Sequence, residues 1–385
     1  MIWILSLVVI AAAAADFAVW RRSARRSVAT LCLLLAADCM PWIVTCAGML
    51  ISDNTQTWRD ASTAVMLAWM LTVVPKTILL AARVVSRRPW VRIAASAAAA
   101  TVVCAIVYGV VWGRKDLVIN EVEIRSPRLP QSFDGFRAAV FSDLHIGALP
   151  DAEGEIGRLV AAIGSTDADA VFFCGDLVDI RHTELDSARM ALLAAIRPRC
   201  GVYCVTGNHD TGFYVVDSVA LPRAENRRML AAKEAAMGWQ PIDGRSIYLH
   251  RGGDSISVTG IPFFDELNEI RHSRRIPQFD IAEAYEGIDT ASFNITLVHI
   301  PQMWPQVRSV GRGDLTLSGH VHAMQIKLRL FGLRISPARL QYRHWSGLYR
   351  DDRDGSLYVN DGIGSVGIPA RIGARPEITV ITLRR

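Results

Sequence analysis

Five short polar blocks follow apolar, strand-like runs of the chain and carry carboxylate, imidazole and amide side chains. The blocks read FSDLH, FCGDLVD, VTGNHD, LVHIP and LSGHVH, and their polar residues are Asp143, His145, Asp176, Asp179, Asn208, His209, Asp210, His299, His320 and His322. Five of the nine histidines of the chain lie in these blocks. Residues two apart at a strand end project to the same side, so each D-x-H or H-x-H pair can face one centre.

Carboxylate, imidazole and amide groups together suit a divalent ion such as Mn, Fe or Zn, whereas a thiolate site would need Cys. The candidate metal ligands are Asp143, His145, Asp176, Asn208, His299, His320 and His322. So many ligands exceed what one zinc site uses and suit two ions that share a bridging carboxylate. Alternatively, each Asp or Asn caps a helix and each His is a core residue. For any single block, that alternative explains the residues as well as a metal centre does. Five such blocks, all at strand ends, favour the metal centre.

The residues between the blocks predict the elements that position them. FRAAVFSD, DAVFFCGD and GVYCVTGN are typical of strands, and 152–164 and 184–196 of amphipathic helices. This βαβα order predicts a layered α/β domain with mainly parallel strands in its first half. SIYLH and SISVTGI predict a hairpin, and NITLVH, DLTLSG, SLYVN and EITVITL predict further strands. Functional groups collect at the carboxyl ends of strands in such sheets, which is where the blocks lie.

The ordered blocks D-x-H, G-D-x-x-D, G-N-H-D, a lone His and G-H-x-H resemble the calcineurin-like metallophosphoesterase superfamily, and within it the membrane-associated bacterial branch. The resemblance covers the chain from about Phe136 to its end. It implies an α/β (α+β) fold, a metallophosphoesterase β-sandwich flanked by helices, over residues 136–385. It also implies hydrolysis of a phosphodiester, phosphomonoester or pyrophosphate by a metal-bound hydroxide, with no covalent enzyme intermediate.

The resemblance further implies a role for each block. The first metal ion is bound by Asp143, His145, Asp176 and His322, and the second by Asp176, Asn208, His299 and His320, so that Asp176 bridges. His209 lies outside the metal shell, contacts the phosphate and assists the leaving group, which needs a proton or a positive neighbour. Asp210 either orients His209 or caps a helix. His209 and Asp210 are the candidate catalytic residues.

The block GHVHAMQ departs from the G-H-T-H-G-G-Q of this branch, because Ala323 and Met324 replace the two glycines. We expect the bulkier Met324 either to narrow the space near the metals or to contact substrate. Arg371 and Arg375 could meet a phosphate, but we expect them on the surface with salt partners. The basic stretch EIRHSRRIPQF, with Arg271, Arg274 and Arg275, could approach anionic lipid, but we expect a solvated face.

Four apolar runs precede Gly113, and each has about the ~20 residues that a helix needs to cross a bilayer. They are Met1–Trp20, Val28–Ile51, Ala61–Ala82 and Ile93–Trp112. We therefore expect a transmembrane region of four helices over 1–113, and a linker over 114–135. The first run could instead be a cleaved signal peptide. Arginines follow it directly and no basic residue precedes it, which favours a retained span.

Loop charges predict the orientation of these spans. Segments 21–27 and 83–92 carry four arginines each, whereas the loop between the second and third runs carries only Arg59. The positive-inside tendency places both arginine-rich segments in the cytoplasm, and hence the catalytic domain outside the cytoplasm at a bacterial inner membrane. Asp38 and Lys76 have similar depths in their runs, so we expect a structural ion pair rather than a conduction path.

These features predict a membrane-anchored, two-metal phosphoesterase. Four helices exceed what tethering requires, which favours a membrane-borne substrate such as a phospholipid or a lipid-linked sugar phosphate. The alternative is a non-hydrolysing membrane sensor or scaffold, although no ligand and no G-N-H histidine is lost. The net charge of +5 is mild, and the chain lacks a basic segment interleaved with aromatic residues, so no nucleic-acid partner is expected. Cys174, Cys200 and Cys204 lack the spacing of a metal site.

Overall fold

The computed structural model describes residues 2–22, 27–50, 56–215 and 221–385. These residues form two compact units, a helical unit that ends at Val111 and a unit that begins at Trp112. The second holds the candidate catalytic residues and is called the catalytic unit below. Parts of two of the three loop segments used to predict orientation, 23–26 and 51–55, lie outside the described residues.

The helical unit consists of α-helices that follow the apolar runs. They are α1 (Ile2–Arg22), α2 (Val28–Asp38), α3 (Met40–Leu50), α4 (Gln56–Val85) and α5 (Pro89–Val111). Within the described ranges, the helices long and apolar enough to cross a membrane are Trp58–Val85 and Pro89–Lys115. The second predicted span is instead divided at Cys39 into two helices of 11 residues, each about 16 Å long and too short for a bilayer. The structure thus supports two of the four predicted spans.

A buried ion cluster joins α1, α2 and α4. Lys76 Nζ lies 2.6 Å from Asp16 Oδ2 and 2.5 Å from Asp38 Oδ1, and both aspartates are buried. The predicted pairing of Asp38 with Lys76 is therefore confirmed. Asp16 is a third member that the sequence did not indicate. It lies beside Lys76 because α1 packs its buried Val9 and Ala12 against Trp69 and Val73 of α4.

The catalytic unit contains two six-stranded sheets and one isolated hairpin. Its strands are β1 (Val118–Arg125), β2 (Arg137–Phe141), β3 (Ala170–Phe173), β4 (Val202–Cys204), β5 (Trp239–Pro241), β6 (Arg245–Arg251), β7 (Asp254–Ile261), β8 (Asn294–Val298), β9 (Leu315–Ser318), β10 (Leu328–Leu330), β11 (Leu333–Ile335), β12 (Gly347–Arg350), β13 (Ser356–Val359) and β14 (Glu377–Arg384). The first sheet has the order β1-β14-β2-β3-β4-β5 and the second β12-β13-β9-β8-β7-β6. Strands β2 to β5 are parallel, as are β7, β8, β9 and β13.

Short helices cover the outer faces of both sheets. They are α6 (Ala152–Gly164), α7 (Ser187–Leu193), α8 (Arg223–Ala236), α9 (Leu267–Ile270), α10 (Trp304–Ser309) and α11 (Ala338–Gln341). The predicted helix over 152–164 matches α6, where the side chain of Asp151 accepts from Gly154 N as an N-cap. The predicted helix over 184–196 is shorter, because Asp186 caps α7 at Ser187.

Strand β2 shows how the layers are held together. Ala138 and Val140 belong to the core between the two sheets, whereas Ala139 and Phe141 pack with the helices on the outer face of the first sheet. Successive side chains point to opposite faces of a strand, so a strand buried on both faces needs a continuous apolar run. This architecture fits the predicted metallophosphoesterase sandwich with flanking helices.

Candidate metal centre

Five loops bring the polar blocks to one edge of the sandwich. They follow β2, β3 and β4 of the first sheet and β8 and β9 of the second. The metal-ligand candidates on these loops are all buried, namely Asp143, His145, Asp176, Asn208, His299, His320 and His322. The two sheets each contribute the ends of parallel strands to a common cluster, as the strand-end positions of the blocks predict.

The first ligand cluster contains Asp143, His145 and His322, whose candidate ligand atoms lie within 4.8 Å of one another. His322 Nε2 is 3.2 Å from Asp143 Oδ1 and 3.2 Å from His145 Nε2. The second cluster contains Asp176, His299 and His320 within the same limit. There, His299 Nε2 is 3.2 Å from Asp176 Oδ2.

Asp176 and Asn208 complete this arrangement. Asp176 Oδ2 lies 3.7 Å from His145 Nε2 as well as 3.2 Å from His299 Nε2, so one carboxylate oxygen borders both clusters. Asn208 Oδ1 lies 3.0 Å from the same His299 nitrogen. This placement is the one that a bridging carboxylate requires.

These residues fit two divalent cations. The Nε2 atoms of His145 and His322 face each other, and two neutral imidazoles in that position have lone pairs that only a shared proton or cation can satisfy. His320 Nε2 is buried and, among the described residues, has no hydrogen-bond partner. A set of imidazole nitrogens with carboxylate and amide oxygens suits borderline and hard divalent ions.

The ligands rest on strained backbone. Asp143, His145, Asp176, His320 and His322 all have positive φ, between 46° and 72°, a region that residues other than glycine seldom occupy. Hydrogen bonds between loops hold this geometry. For example, Asp143 N donates to Gly175 O at 2.8 Å, and His145 N donates to Asp176 O at 3.1 Å. Strain of this kind persists where the surroundings over-determine it, and it clusters at functional sites.

The electrostatics of the cluster favour ionised carboxylates. Burial alone would raise the pKa of Asp176, but His299, His209 and His145 outweigh it and hold that pKa well below its usual range. Burial would lower the pKa of His299, yet the facing carboxylate of Asp176 raises it to about 9. The carboxylates are therefore in the form that binds metal, and they attract positive charge strongly.

His209 lies beside the first cluster and is positioned by the loop after β3. Its Nδ1 is 2.6 Å from the backbone oxygen of Asp179, so Nδ1 carries the proton and Nε2 is left for another partner. The ring packs edge-on against His145, with centroids 4.6 Å apart, and stacks on Tyr214 at 4.3 Å. Burial lowers the pKa of His209. The sequence assigned no role to Asp179, although it stands in the G-D-x-x-D block.

Asp210 contacts backbone rather than the His209 ring, in the part of the chain that the structure describes. Its carboxylate accepts the N–H groups of Asp176, Leu177 and Val178 at 2.7, 2.8 and 3.1 Å, and of Gly207 at 2.9 Å. Burial and the carboxylate of Asp176 raise its pKa to about 7, although the N–H donors favour the ionised form. Asp210 therefore joins the loops after β3 and β4, in neither of the two expected roles.

A basic and aromatic rim borders His209. Arg271 Cζ lies 5.5 Å from the ring centroid of Tyr214 and 5.8 Å from that of Phe213, and Arg223 Cζ lies 4.6 Å from the Phe213 centroid. Arg271 Nε is buried and has no hydrogen-bond partner among the described residues. Arg271 is only partly exposed, whereas Arg274 and Arg275 are exposed, as expected of a solvated face. The basic stretch that contains Arg271 stood out in the sequence, but its spacing did not place it here, because Arg271 reaches this rim from the segment after β7.

The replaced glycines have a visible consequence. Ala323 and Met324 both have positive φ, 48° and 47°, so the turn keeps a conformation that glycine adopts without strain. Met324 packs against the cluster that contains Trp304, Val321 and Trp345. Its contacts therefore include the core, which neither expectation for Met324 anticipated.

The two C-terminal arginines behave differently. Arg371 is completely buried, and it donates to the carbonyl oxygens of Asp361, Gly364 and Ala374 at 2.8–3.0 Å. Its Nη2 lies 3.2 Å from His322 Nδ1, so the expectation of a surface position is wrong for this residue. Arg375 pairs with Asp116 at 2.6 Å and is exposed, as expected.

The family model for calcineurin-like phosphoesterases matches residues 136–324. This part of the chain belongs to the calcineurin-like phosphoesterase family. A Danio rerio relative, "Transmembrane protein with metallophosphoesterase domain", is 34% identical over 282 residues, which cover 72% of this chain and 60% of the relative. The Bacillus subtilis "Uncharacterized metallophosphoesterase YkuE" is 28% identical over 269 residues, or 69% of this chain and 85% of that protein.

A solved structure of the phosphopantetheinyl hydrolase PptH from Mycobacterium tuberculosis is also similar, with 15% identity and a TM-score of 0.33 over 53% of this chain and 89% of that one. The Danio rerio relative and a Bos taurus relative of the same name are both longer proteins. This chain spans about 60% of the length of each.

Proposed function

We propose that the catalytic unit is a two-metal phosphoesterase that hydrolyses a phosphomonoester, phosphodiester or pyrophosphate bond. The observation that carries this proposal is Asp176, whose Oδ2 borders both ligand clusters, 3.7 Å from His145 Nε2 and 3.2 Å from His299 Nε2. Asp143, His145 and His322 would bind one ion with it, and Asn208, His299 and His320 the other. When bound, the ions would supply Lewis-acid activation of water and neutralise the phosphoryl oxygens. Manganese, iron and zinc all suit these ligands.

The chain's own residues then have distinct tasks. His209 keeps Nε2 available beside the first cluster, where, once protonated as the anionic substrate binds, it can donate to a phosphoryl oxygen or to the leaving group. The backbone oxygen of Asp179 fixes the orientation of that ring. Asp210 holds the loop that carries Asp176 in place through N–H groups. Arg271 offers a guanidinium at the rim to an anionic part of the substrate.

The finer proposal is that this enzyme is anchored in a bacterial inner membrane, with its catalytic unit outside the cytoplasm, and acts on a lipid-linked phosphate. The two helices long enough to span a bilayer support anchoring. The name of the vertebrate relatives, which joins a transmembrane protein to a metallophosphoesterase domain, agrees with it. Segment 83–92, at the turn between these two helices, carries four arginines and supports the orientation.

The test is hydrolysis by the full chain in detergent micelles and in vesicles. Aryl phosphomonoesters and diesters and a phospholipid would each be offered with Mn present or chelated. We expect metal-dependent release that is lost in Asp176→Asn and falls by about 10²–10⁴ in His209→Ala, while exposed Asp352→Asn keeps full turnover. Metal binding by a folded chain that hydrolyses none of these substrates would instead support the sensor alternative.

A further inference from the structure

Strands β10 and β11 form a hairpin apart from both sheets. Leu328, Leu330, Leu333 and Ile335 are between 42% and 63% exposed. Phe331, at the turn, is fully exposed, and Leu340 in α11 nearby in sequence is 70% exposed. Large apolar side chains gathered in one exposed place are uncommon on soluble surfaces and mark contact with a partner or a membrane.

The register of the hairpin makes it two-faced. Leu328 pairs with Ile335, Arg329 with Arg334, and Leu330 with Leu333. Directly opposed residues point to the same face of a strand pair. One face therefore carries four aliphatic side chains and the other carries two arginines.

The arginine face contacts the rest of the unit through Arg334, while the four aliphatic side chains of the other face remain exposed. On the arginine face, Arg334 Nη1 donates to Ser346 O at 3.1 Å, and its Cζ lies 5.7 Å from the ring centroid of Trp345. This orientation reverses what a water-facing hairpin requires, since a polar face should be outermost. Two-stranded hairpins are marginally stable alone, so an uncovered apolar face needs an apolar environment.

The charges around the hairpin restrict what that environment can be. Residues 328–350 contain no Asp or Glu, and they carry Arg329, Arg334, Arg339, Arg343 and Arg350, whereas the preceding Lys327 is paired with the buried Asp361. Arg329 and Arg334 lie directly opposite each other, which is unfavourable for like charges unless an anion lies near them. A second copy of this chain would bring the same positive charges together, whereas a surface of anionic lipid would neutralise them.

We infer that the β10–β11 hairpin docks on a bilayer that contains anionic lipid, with Phe331 and the aliphatic face in the interface and the arginines at the phosphates. Aromatic and aliphatic side chains with flanking Arg are the residues that bind this interface. The chain itself contains two helices long enough to cross a membrane, so a bilayer is present wherever it is inserted. The hairpin begins six residues after His322, so docking would place bilayer lipid near the metal centre.

The test uses the full chain in vesicles, with the exposed cysteines Cys32, Cys46 and Cys104 replaced by Ala. A polarity-sensitive fluorophore is attached through Phe331→Cys at the apolar tip. The matched control carries it through Asp352→Cys, in the exposed polar turn between β12 and β13. Vesicles of phosphatidylcholine with phosphatidylglycerol contain lipids with a nitroxide on the acyl chain, and iodide is the quencher in water.

We expect the tip label to be quenched by the lipid nitroxide and protected from iodide, and the Asp352→Cys label to behave oppositely. Leu333→Asp should return the tip label to water, and Arg329→Gln or Arg339→Gln should each lower the docked fraction relative to the undocked one by about fivefold. Equal quenching of both labels by iodide would overturn the inference. Protection of the tip label from iodide that depends on protein concentration in detergent would also overturn it, because such protection would indicate contact with a second copy of the chain. Because no readout uses turnover, these results stand whether or not the phosphoesterase proposal holds.

Discussion

Asp210 and Arg271 illustrate how much of the site depends on side chains outside the ligand set. Asp210 accepts backbone N–H groups from the loops after β3 and β4, so these hydrogen bonds hold Asp176 in position although Asp210 contacts no reacting atom. Arg271 stands over the ring of Tyr214, which stacks on His209. One residue therefore positions the metal centre, and the other can contribute to substrate binding.

Asp210→Asn should reduce turnover by about 10- to 100-fold and lower the melting temperature. An amide offers only one oxygen to the N–H donors and points its own N–H₂ at the others, and a hydrogen bond to a charged group contributes about 1.5–3 kcal/mol. The measurements are kcat, metal content and thermal unfolding. Wild-type values for all three would show that the carboxylate does not position the loops.

Arg271→Ala should raise KM for an anionic substrate by about tenfold while kcat changes little, because the guanidinium binds substrate equally in ground and transition states. Arg275→Ala removes the same charge from an exposed position nearby in sequence and should leave KM unchanged. An equal rise in KM for both variants would show that Arg271 acts only through general surface charge.

At the scale of elements, the centre depends on loops that approach too closely for ordinary side chains. A Cβ on Gly207 would lie 2.1 Å from Asp176 Oδ1, and one on Gly319 would lie 2.3 Å from Asp143 Oδ2. Glycine is thus required where the loop after one strand supports the ligand of another. Helix α6, on the outer face of the first sheet, imposes no such limit at Gly157, where a Cβ would meet nothing within 4 Å.

Gly207→Ala should lower metal content and turnover by about 100-fold or more, because the added methyl displaces the carboxylate that borders both clusters. Gly157→Ala is the matched change in a helix interior and should raise the free energy of unfolding by about 0.5–1 kcal/mol at unchanged turnover. Metal titration, kinetics and denaturant unfolding of both variants provide the comparison. Normal metal binding by Gly207→Ala would contradict this account of the loop packing.

At the scale of the whole catalytic unit, one buried carboxyl links the two sheets. Glu377 of β14 in the first sheet accepts a hydrogen bond from the hydroxyl of Tyr358 of β13 in the second, at 2.6 Å. Burial, together with the carboxylate of Asp361, raises the pKa of Glu377 to about 7. The protonated carboxyl is then the form that suits the folded core.

The pH dependence follows from the sign of this shift. A carboxyl whose pKa is raised on folding stabilises the protein fully below its unfolded value of about 4.5, and this contribution is lost as pH rises through about 7. Between about pH 5 and pH 8, we expect the free energy of unfolding to fall by about 1–3 kcal/mol less in Glu377→Gln than in the wild type. Exposed Glu286→Gln is the control. An identical pH profile for Glu377→Gln and wild type would contradict a raised pKa.

The sequence by itself determined the parts of this protein that local pattern encodes. The polar blocks at strand ends, the parallel order of the first strands and helix α6 all follow from short-range periodicity. The order of the blocks also indicated the calcineurin-like phosphoesterase family, whose model matches residues 136–324. The pairing of Asp38 with Lys76 was also predicted, although the continuous second span assumed for that prediction is divided at Cys39.

Only the tertiary structure decided which distant groups meet. It divided the second apolar run at Cys39, buried Arg371 beside His322 and brought Asp16 to Lys76. It also placed the Asp210 carboxylate on the N–H groups of a neighbouring loop. The physical reason is that such contacts join segments far apart in sequence, where periodicity carries no information. Their partners are set by how sheets, helices and loops pack, and by the requirement that buried polar groups find partners.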